Sequence, residues 1–339
     1  MNIYNCSLQD LENYFIKKNE KKFKARQVFD WLYKKRVTSF EQMTNIKKEL
    51  IFDLQQDFNM EHLKLIERQS DKDVYKYLFE LPDKNTIEAV LMHHNYGYSL
   101  CVSSQVGCNM GCSFCESGRL RLVRNLLISE MVLQVLQVEA DLNIRISHVV
   151  IMGIGEPFDN YDNVMKFIDI INSDLALAIG ARHITVSTCG IIPKIKEFMN
   201  NNKQINLAIS LHAPNDKLRS KLMKINKVYK LADLIDVIKE YINKTNRRVT
   251  FEYIMLKDIN DSKECALELV DLLKGINCYV NLIPYNETSH LNYRKSTKDT
   301  ILKFYDILKK NKINVTIRKE FGKNVSAACG QLRANNEEG

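Results

Sequence analysis

The most constraining feature of this sequence is an alternation of short apolar segments with longer segments of helical periodicity, beginning at residue 98. The apolar segments are rich in β-branched residues, as buried strands are: they are 98–103, 148–152, 183–187, 206–210, 249–255, 279–284 and 313–317. The helical segments between them are 129–142, 161–173, 193–201, 231–244, 262–274 and 297–310. This alternation predicts an α/β fold with a parallel sheet and right-handed crossovers, in which functional groups follow the carboxyl ends of the strands.

The region before residue 98 has a different pattern. Apolar residues recur near period 3.6 over residues 7–60 and predict helices. Residues 74–80 and 86–92 alternate as strands around turn-forming residues, which predicts a β-hairpin. The predicted domains are therefore, in order, an N-terminal helical accessory domain at 1–70, a β-hairpin linker at 71–97, and an α/β domain with a C-terminal extension at 98–335.

Composition narrows the class of protein. The hydrophobic fraction of 45% suits a globular chain with a large core. We find neither a secretory signal at the start nor a long uncharged apolar window, so we expect a cytoplasmic protein without a membrane anchor. In that compartment nine unevenly spaced cysteines favour metal binding or catalysis over a disulfide framework. The formal net charge of +8 favours an anionic partner.

Three cysteines form the strongest chemical signal. Cys108, Cys112 and Cys115 stand in a C-x3-C-x2-C spacing within one short loop. Such thiolates bind zinc or an iron–sulfur cluster. A structural zinc site needs four ligands, and the chain offers no second C-x2-C pair. A [4Fe–4S] cluster held by three cysteines leaves one iron open, which is able to chelate S-adenosylmethionine and to deliver the electron that cleaves it to a radical.

Polar residues follow several of the predicted strands. Gly155 and Glu156 come after 148–152, where glycine allows a ligand to approach the backbone and the carboxylate can bind an ammonium group. The other polar side chains at strand ends are suited to ribose and carboxylate contacts, although each alone is equally consistent with an ordinary loop hydrogen bond; they are Ser187, Ser210, His212 and Asn286. Ser210 and His212 lack the rest of a catalytic triad, which excludes a hydrolase of that kind.

Two further cysteines lie outside the cluster spacing. Cys101 precedes Cys108, and Cys329 lies near the C-terminus. Both are consistent with small buried residues, but a barrel can bring a C-terminal segment over its mouth, where two thiols are able to work in sequence. Glu88 lies on the second strand of the predicted hairpin and would be close to Cys101 if that strand pairs with the next one.

Eight motifs in order along the chain resemble the radical S-adenosylmethionine (SAM) adenine-C2 RNA methyltransferases. The motifs are CVSSQVGCNMGCSFC, MGIGEPFDNYDNV, GARHITVST, LAISLHAPND, NRRVTFEYIML, VNLIPYN, VTIR and AACGQL. The resemblance implies a partial (βα)6 barrel of the TIM-like radical SAM type with a small N-terminal helical domain. It also implies methylation of adenine C2 in the peptidyl-transferase centre of 23S rRNA and in tRNA, 3′ to the anticodon.

The resemblance also assigns roles to individual residues. It implies that Cys329 carries the methyl group as S-methylcysteine, that Glu88 is the proton acceptor, and that Cys101 releases the product by forming a transient disulfide with Cys329. It implies that two SAM molecules are used per turnover and that Cys108, Cys112 and Cys115 hold the [4Fe–4S] cluster. The implied SAM contacts are Gly155, Glu156, Ser187, Ser210, Leu211, His212 and Asn286.

The expected partners follow from this chemistry. They are 23S rRNA, tRNA, a one-electron donor such as flavodoxin or ferredoxin, and a reductant for the disulfide; we expect a monomer. Residues 17–36 hold nine Lys or Arg and two acidic residues, interleaved with aromatic side chains. This segment predicts either a phosphate-binding surface or an ordinary solvated helical face. Arg119, Arg121 and Arg124 are further candidates for RNA contacts.

The motifs depart from the family pattern at two places. Glu116 adds a charge directly after Cys115, which either lowers the cluster potential or points to solvent. Residues 322–326 lack the acidic residues common before AACGQL. Two rival functions remain at this stage: methylation of adenine C8 in 23S rRNA, which gives antibiotic resistance and uses the same cysteines, and a non-catalytic metal-cluster RNA-binding protein, which leaves Cys101, Cys329 and Glu88 without a role.

Overall fold

A computed structural model describes residues 1–201 and 203–318, which form a ten-stranded mixed sheet, a separate two-stranded ladder and the helices around them. The strands are β1 (Lys64–Asp71), β2 (Val74–Glu80), β3 (Thr86–His94), β4 (Gly97–Cys101), β5 (Gln105–Val106), β6 (Arg124–Asn125), β7 (Ile146–Ile151), β8 (Ile184–Thr188), β9 (Asn206–Ser210), β10 (Val249–Met255), β11 (Cys278–Pro284) and β12 (Asn314–Ile317). The helices are α1 (Leu8–Lys17), α2 (Phe23–Tyr33), α3 (Lys48–Asp57), α4 (Glu116–Arg119), α5 (Ile128–Leu142), α6 (Tyr161–Asn172), α7 (Ile192–Phe198), α8 (Asp216–Leu222), α9 (Leu231–Thr245), α10 (Lys263–Leu273) and α11 (Lys298–Lys310).

The larger part of the sheet is parallel. Its order is β4-β7-β8-β9-β10-β11-β12, with a helical crossover between each successive pair. Every one of these strands coincides with a predicted apolar segment to within a few residues, and the predicted α/β fold with parallel strands is confirmed. All carboxyl ends therefore meet at one edge, where the predicted site residues follow them.

The crossover helices pack on the sheet because their apolar residues recur with helical spacing. In α6, Val164, Phe167, Ile168 and Ile171 are buried, and their spacing places them on one face of the helix. In the strands, Val149 and Val186 are completely buried. Burial of such side chains stabilises the fold by about 25 cal/mol per Å² of apolar surface removed from water.

An antiparallel hairpin extends the parallel sheet beyond β4. Strands β2 and β3 pair with each other, and β3 pairs with β4, so that Val90 lies opposite both Lys76 and Cys101. Residues 64–71, which we had assigned to the helical region, form strand β1 on the outer side of β2. All residues of β1 are exposed or only partly buried. The strand therefore lacks the apolar pattern by which a buried strand is recognised in the sequence.

The N-terminal helices dock on α5, and their buried apolar side chains are continuous with the core of the α/β domain. Leu11, Phe15, Phe29 and Leu32 are buried there. The docking includes an ion pair of 2.6 Å between Arg36 and the buried carboxylate of Glu139, and the side chain of Asn5 accepts a hydrogen bond from the backbone N–H of Ser129 at 2.9 Å. Within residues 1–201 and 203–318, no helix is both long and apolar enough to cross a membrane.

Candidate active site

The cysteine loop follows β4 and is held by backbone hydrogen bonds. The N–H of Cys108 donates to the carbonyl of Leu120 at 3.1 Å. The N–H of Cys115 donates to the carbonyl of Cys112 at 3.2 Å, which folds the C-x2-C part into a tight turn. Gly107 has φ of +77°, and a Cβ atom there would lie 2.0 Å from the carbonyl oxygen of Arg121. The start of the loop therefore requires glycine.

The three cysteine thiols of the loop share one environment. Burial raises the pKa of Cys108 to about 12, with a smaller contribution from the neighbouring Cys115. Burial also raises the pKa of Cys112, and Cys115 and Cys108 raise it further. Cys108 and Cys112 are thus both affected by Cys115, and a metal that binds here must displace the protons of the thiols.

The donor set fits an iron–sulfur cluster better than a single ion. Among the residues that the structure describes, no group of three His, Cys, Asp or Glu side chains is arranged to hold one metal ion. A four-iron cluster is larger and holds its cysteine sulfurs farther apart than one ion does. Three neighbouring thiols in a largely apolar surrounding, which includes Met110 and Phe114, are therefore suited to such a cluster.

Glu116 does not point to solvent. Its side chain is buried in the first turn of α4, directly after Cys115. One carboxylate oxygen accepts a hydrogen bond from Arg119 at 3.3 Å, and the other, Oε1, has no hydrogen-bond partner in the described part of the chain. Its charge also raises the pKa of Cys115, after the larger effect of burial. Of the two expectations for this residue, the solvent-facing one is wrong.

Gly155 and Glu156 form a rigid corner after β7. Gly155 has φ of +110°, and a Cβ atom there would lie 2.6 Å from the Cβ of Gln105. The buried carboxylate of Glu156 accepts backbone hydrogen bonds from Phe158 at 3.0 Å and from Cys189 at 2.7 Å. Burial raises its pKa, and these hydrogen bonds lower it. The corner ties the loop after β7 to the loop after β8.

The predicted residues on β8 and β9 are brought together. Ser187 and Ser210 have hydroxyl oxygens 3.5 Å apart on adjacent strands. Leu211 follows directly and is buried, with its backbone N–H donating to the carbonyl of Glu252. Two hydroxyl groups and an apolar side chain at one strand edge are suited to a polar ligand with an apolar ring.

Arg219 is hydrogen bonded to the backbone at the ends of β8 and β9. It is completely buried, and its guanidinium donates to the carbonyls of Cys189 at 2.6 Å and of Leu211 and Ser210 at 3.3 Å. It also donates to the side chain of Asn226 at 2.9 Å. The sequence analysis did not single out Arg219, because an arginine in a polar helix gives no sign of burial. Its contacts fix three carbonyls at the ends of β8 and β9.

His212 is fixed in one tautomer. Its Nδ1 accepts a hydrogen bond from the backbone N–H of Ile254 at 3.0 Å, so the proton is on Nε2. Burial lowers its pKa to about 3, with a smaller contribution from Arg219. The ring packs edge-on against Phe114 of the cysteine loop, with centroids 4.9 Å apart. His212 is therefore a neutral donor beside the predicted cluster.

Asn286, the remaining predicted SAM contact, is exposed in the loop after β11. Cys329 lies outside the described residues.

Glu88 and Cys101 are brought together on one face of the sheet, because Cys101 is opposite Val90, two residues along β3 from Glu88. Glu88 contributes to a raised pKa of Cys101, about 11, of which burial is the main cause.

Lys76 is a second charged residue that the sequence analysis missed. Its Nζ lies 3.1 Å from Oε2 of Glu88, and the two side chains are 1% and 2% exposed. The sequence contains a signal for its burial. In VYKYLFE, Lys76 lies two residues from both Val74 and Leu78 and therefore shares their buried face of the strand. A lysine at such a position needs an anionic partner.

A basic surface lies beside the cysteine loop. We call it the α8 basic surface; its exposed lysines are Lys217, Lys221, Lys224, Lys227 and Lys230. The segment is hydrogen bonded to the loop, since the N–H of Ser113 donates to the carbonyl of Leu222 at 3.0 Å. The Lys224 side chain covers Gly111, where a Cβ atom would meet its Nζ at 3.1 Å. An anionic partner at this surface would lie next to the predicted cluster.

Comparison with known proteins agrees with this geometry. Residues 102–273 match the model of the radical SAM superfamily, and residues 1–60 match that of the ribosomal RNA large subunit methyltransferase N-terminal domain. A probable dual-specificity RNA methyltransferase RlmN of Enterococcus faecalis is 55% identical over 341 residues, which cover 98% of this chain and 96% of the relative. The chain belongs to this radical SAM RNA methyltransferase family.

Other members of the family support the same conclusion. The corresponding protein of Acholeplasma laidlawii is 51% identical over 337 residues, covering 99% of this chain and all of the relative. The crystal structure of a radical SAM methyltransferase from Sphaerobacter thermophilus is 38% identical, covers 98% of both chains and superposes with a TM-score of 0.93. The predicted family and fold are thus confirmed. Membership implies that SAM and a [4Fe–4S] cluster are the cofactors, which the thiol set described above fits.

Proposed function

We propose that this protein methylates C2 of an adenine in the peptidyl-transferase centre of 23S rRNA and of the adenine 3′ to the tRNA anticodon. The observation that carries the proposal is the position of Glu88 beside Cys101, on strands that lead directly into the cysteine loop. A buried carboxylate and a partly buried thiol on one face would supply a proton acceptor and a nucleophile next to a radical source. A non-catalytic cluster protein needs neither group.

The cysteine loop would hold the cofactors. Cys108, Cys112 and Cys115 would bind the [4Fe–4S] cluster, which together with SAM supplies radical chemistry when bound. We assign the remaining SAM contacts to the residues that the resemblance implies: Gly155, Glu156, Ser187, Ser210, Leu211, His212 and Asn286. The adjacent hydroxyls of Ser187 and Ser210 and the donor Nε2–H of His212 support this assignment.

The protein's own thiols would carry the methyl group. In the proposal Cys329 takes a methyl group from one SAM molecule, and a second SAM molecule is consumed in its activation, which makes two per turnover. Glu88 accepts the proton of adenine C2. The Cys101 thiolate then attacks the sulfur of Cys329, the bond between this sulfur and carbon breaks, and the carbon takes up a proton to become the methyl group of the released base. The Cys101–Cys329 disulfide that results takes up two electrons from a cellular reductant before the next cycle.

Two basic surfaces would bind RNA phosphates. Lys21, Lys22 and Lys24 lie at the start of α2, where Phe23 is 49% exposed and Lys24 covers its ring at 5.1 Å. Exposed aromatic and cationic groups together are typical of nucleic-acid contacts. The α8 basic surface would contribute phosphate contacts near the cluster. Arg124 is a weaker candidate than predicted, because it is paired with Glu130 and Asp83.

The remaining partners are part of the same proposal. We expect a one-electron donor such as flavodoxin or ferredoxin, a disulfide reductant, a cytoplasmic location and a monomeric enzyme. The electron donor must approach the cysteine loop, because electron transfer to the cluster requires proximity. Analytical ultracentrifugation of the reconstituted protein would test the monomeric state.

The test is anaerobic reconstitution with iron and sulfide, followed by reaction with methyl-labelled SAM and either a 23S rRNA fragment or tRNA. Mass spectrometry of the digested nucleosides identifies the product. We expect 2-methyladenosine from both RNAs and none with Cys329→Ala. Detection of 8-methyladenosine from rRNA alone would instead place the protein in the resistance class. No methylated base from a preparation with an intact cluster would contradict the proposal altogether.

A further inference from the structure

This inference rests on the proposed function. We propose that Lys76 is a positioning residue, whose ammonium group directs the Glu88 carboxylate to the place beside Cys101 where the C2 proton of adenine is removed. Lys76 belongs to none of the motifs that suggested the function. The inference comes from its contact with Glu88 inside the sheet.

The contact is an ion pair sheltered from water. The Nζ–Oε2 distance is 3.1 Å, and the side chains of Lys76 and Glu88 are 1% and 2% exposed. An exposed pair at this distance contributes little, but a buried charge is strongly destabilised when its partner is removed. Each of the two side chains therefore holds the other in place.

Strand register explains why the pair faces Cys101. Lys76 lies opposite Val90 across β2 and β3, and Val90 lies opposite Cys101 across β3 and β4. Residues directly opposite on neighbouring strands point to the same face, as do residues two apart on one strand. Lys76, Glu88 and Cys101 thus share one face, although they come from three strands. The neighbour of Lys76 on β1 is the neutral Gln69.

The backbone of Glu88 is fixed independently of Lys76. The hydroxyl of Ser103 donates to the carbonyl of Glu88 at 2.6 Å, and the N–H of Ile154 donates to that hydroxyl at 3.0 Å. These bonds tie β3 to the segments after β4 and β7. The backbone is therefore placed by Ser103, and Lys76 acts on the direction of the side chain.

Three charged groups act on Cys101. Burial raises the pKa of its thiol to about 11, Arg318 and Lys76 lower it, and Glu88 raises it. Arg318 also acts on Glu252 of β10, whose pKa burial raises and Arg318 lowers. Lys76 is thus positioned to offset the effect of Glu88 on the thiol as well as to stabilise the carboxylate.

The proton transfer explains what Lys76 is needed for. The Glu88 carboxylate takes the C2 proton and becomes a neutral acid. The electron pair of the C–H bond stays on the adenine ring, and Lys76 remains an ammonium. Without Lys76, the carboxylate loses the contact that directs it toward this proton, and a general base must lie within hydrogen-bonding distance of the proton that it takes. Loss of a positioned general base costs roughly 100-fold or more in rate.

The experiment compares Lys76→Met with wild type in the reconstituted full-length enzyme, with Lys64→Met as the matched control. Lys64 also pairs with a glutamate of the same hairpin, Glu80, but its side chain is 68% exposed. Methylation of Cys329, the covalent protein–RNA adduct and the methylated nucleoside are each quantified by mass spectrometry.

We expect Lys76→Met to methylate Cys329 and to form the adduct normally but to release product roughly 100-fold more slowly. Lys76→Arg, which retains a cation, should recover part of the rate, and Lys64→Met should behave as wild type.

The proposal is overturned if Lys76→Met releases product at the wild-type rate, or if Lys76→Arg recovers none of the lost rate. The Glu88→Gln and Lys76→Met/Glu88→Gln variants provide a second comparison, since a neutral pair avoids an unpaired buried charge if Lys76→Met alone does not fold. We expect these two variants to have equal rates, because Lys76 acts through Glu88; an additional loss in the double variant contradicts the proposal. Failure of wild type to methylate Cys329 or RNA would instead reject the proposed function.

Discussion

The guanidinium of Arg219 donates a 2.6 Å hydrogen bond to the backbone carbonyl of Cys189, which joins α8 to the end of β8 inside the protein. The same side chain reaches the carbonyls of Ser210 and Leu211 at the end of β9. A single buried residue therefore fixes the positions of two strand ends, relative to each other, that carry predicted SAM contacts.

We predict that Arg219→Met lowers the free energy of unfolding by about 3 kcal/mol, because it leaves several buried carbonyls without donors. Arg219→Lys should not restore stability, since an ammonium cannot match the planar fork of the guanidinium. Urea unfolding of the cluster-free protein measures the first effect. Calorimetric titration of the reconstituted protein should show weaker SAM binding, and unchanged binding in a folded Arg219→Met variant would contradict the assigned role.

We predict that Gly155→Ala weakens SAM binding roughly tenfold or more, because its Cβ atom would lie 2.6 Å from the side chain and 2.8 Å from the backbone nitrogen of Gln105. Gly275→Ala is the matched control. Gly275 also has a positive φ, +76°, but no atom lies within 4 Å of the position of its Cβ. Both variants share backbone strain of about 1 kcal/mol, so a difference in SAM affinity between them isolates the effect of the crowded corner.

We predict that His212 makes the cluster-free protein less stable in acid. The folded pKa is about 3 and the ordinary value is 6.5, so the unfolded chain binds more protons between these values. Stability is full above pH 6.5 and is lost as pH falls toward 3, which amounts to about 2 kcal/mol at pH 5. His212→Asn should show a smaller difference in unfolding free energy between pH 7 and pH 5 than wild type. An equal difference would mean that the histidine titrates normally.

We predict that replacing Lys21, Lys22 and Lys24 by alanine weakens RNA binding and reduces the slope of log affinity against log salt by up to about 2 to 3. The control replaces three lysines of α11, Lys303, Lys309 and Lys310, on the outside of the sheet. Fluorescence anisotropy with labelled tRNA at several salt concentrations measures the slope. A steep, unchanged slope in the α2 variant would leave the solvated-face interpretation of residues 17–36 as the better one.

We predict that Cys112→Ala abolishes cluster assembly, because two thiolates from the loop cannot hold the cluster. Wild type should take up about four irons and four sulfides per chain. Cys265→Ser, on the partly exposed face of α10, is the control and should assemble the cluster normally. Iron and sulfide analysis with the visible absorbance spectrum gives the result without requiring activity.

The parallel strands could be predicted because each has an apolar, β-branched segment. Val249–Met255 is long enough to be buried on both faces, whereas Asn314–Ile317, at the edge of the sheet, buries only Val315. Strand β1 could not be predicted, because its residues Lys64–Asp71 are mostly polar and gain their structure from pairing with β2. Tertiary hydrogen bonding there outweighs local preference.

The candidate site shows the same division. The spacing of Cys108, Cys112 and Cys115 lies within one loop, so the sequence alone indicates a shared site. The proximity of Glu88 to Cys101 was predictable only as a consequence of strand pairing. Arg219 and Lys76 were not predicted, because each is buried against partners that are distant in the sequence. A charged residue in a polar helix or in a strand with alternating polarity is exposed in most proteins.

The antiparallel extension of the sheet separates two parts of the chemistry along the chain. Lys76 and Glu88 come from the β2–β3 hairpin, whereas the cysteine loop belongs to the parallel barrel strand β4. The ion pair and the cysteine loop are therefore encoded by separate segments of the chain. Substitutions in β2 or β3 can change the surroundings of Cys101 while every residue of the cysteine loop stays the same, so these two parts of the site are able to vary independently.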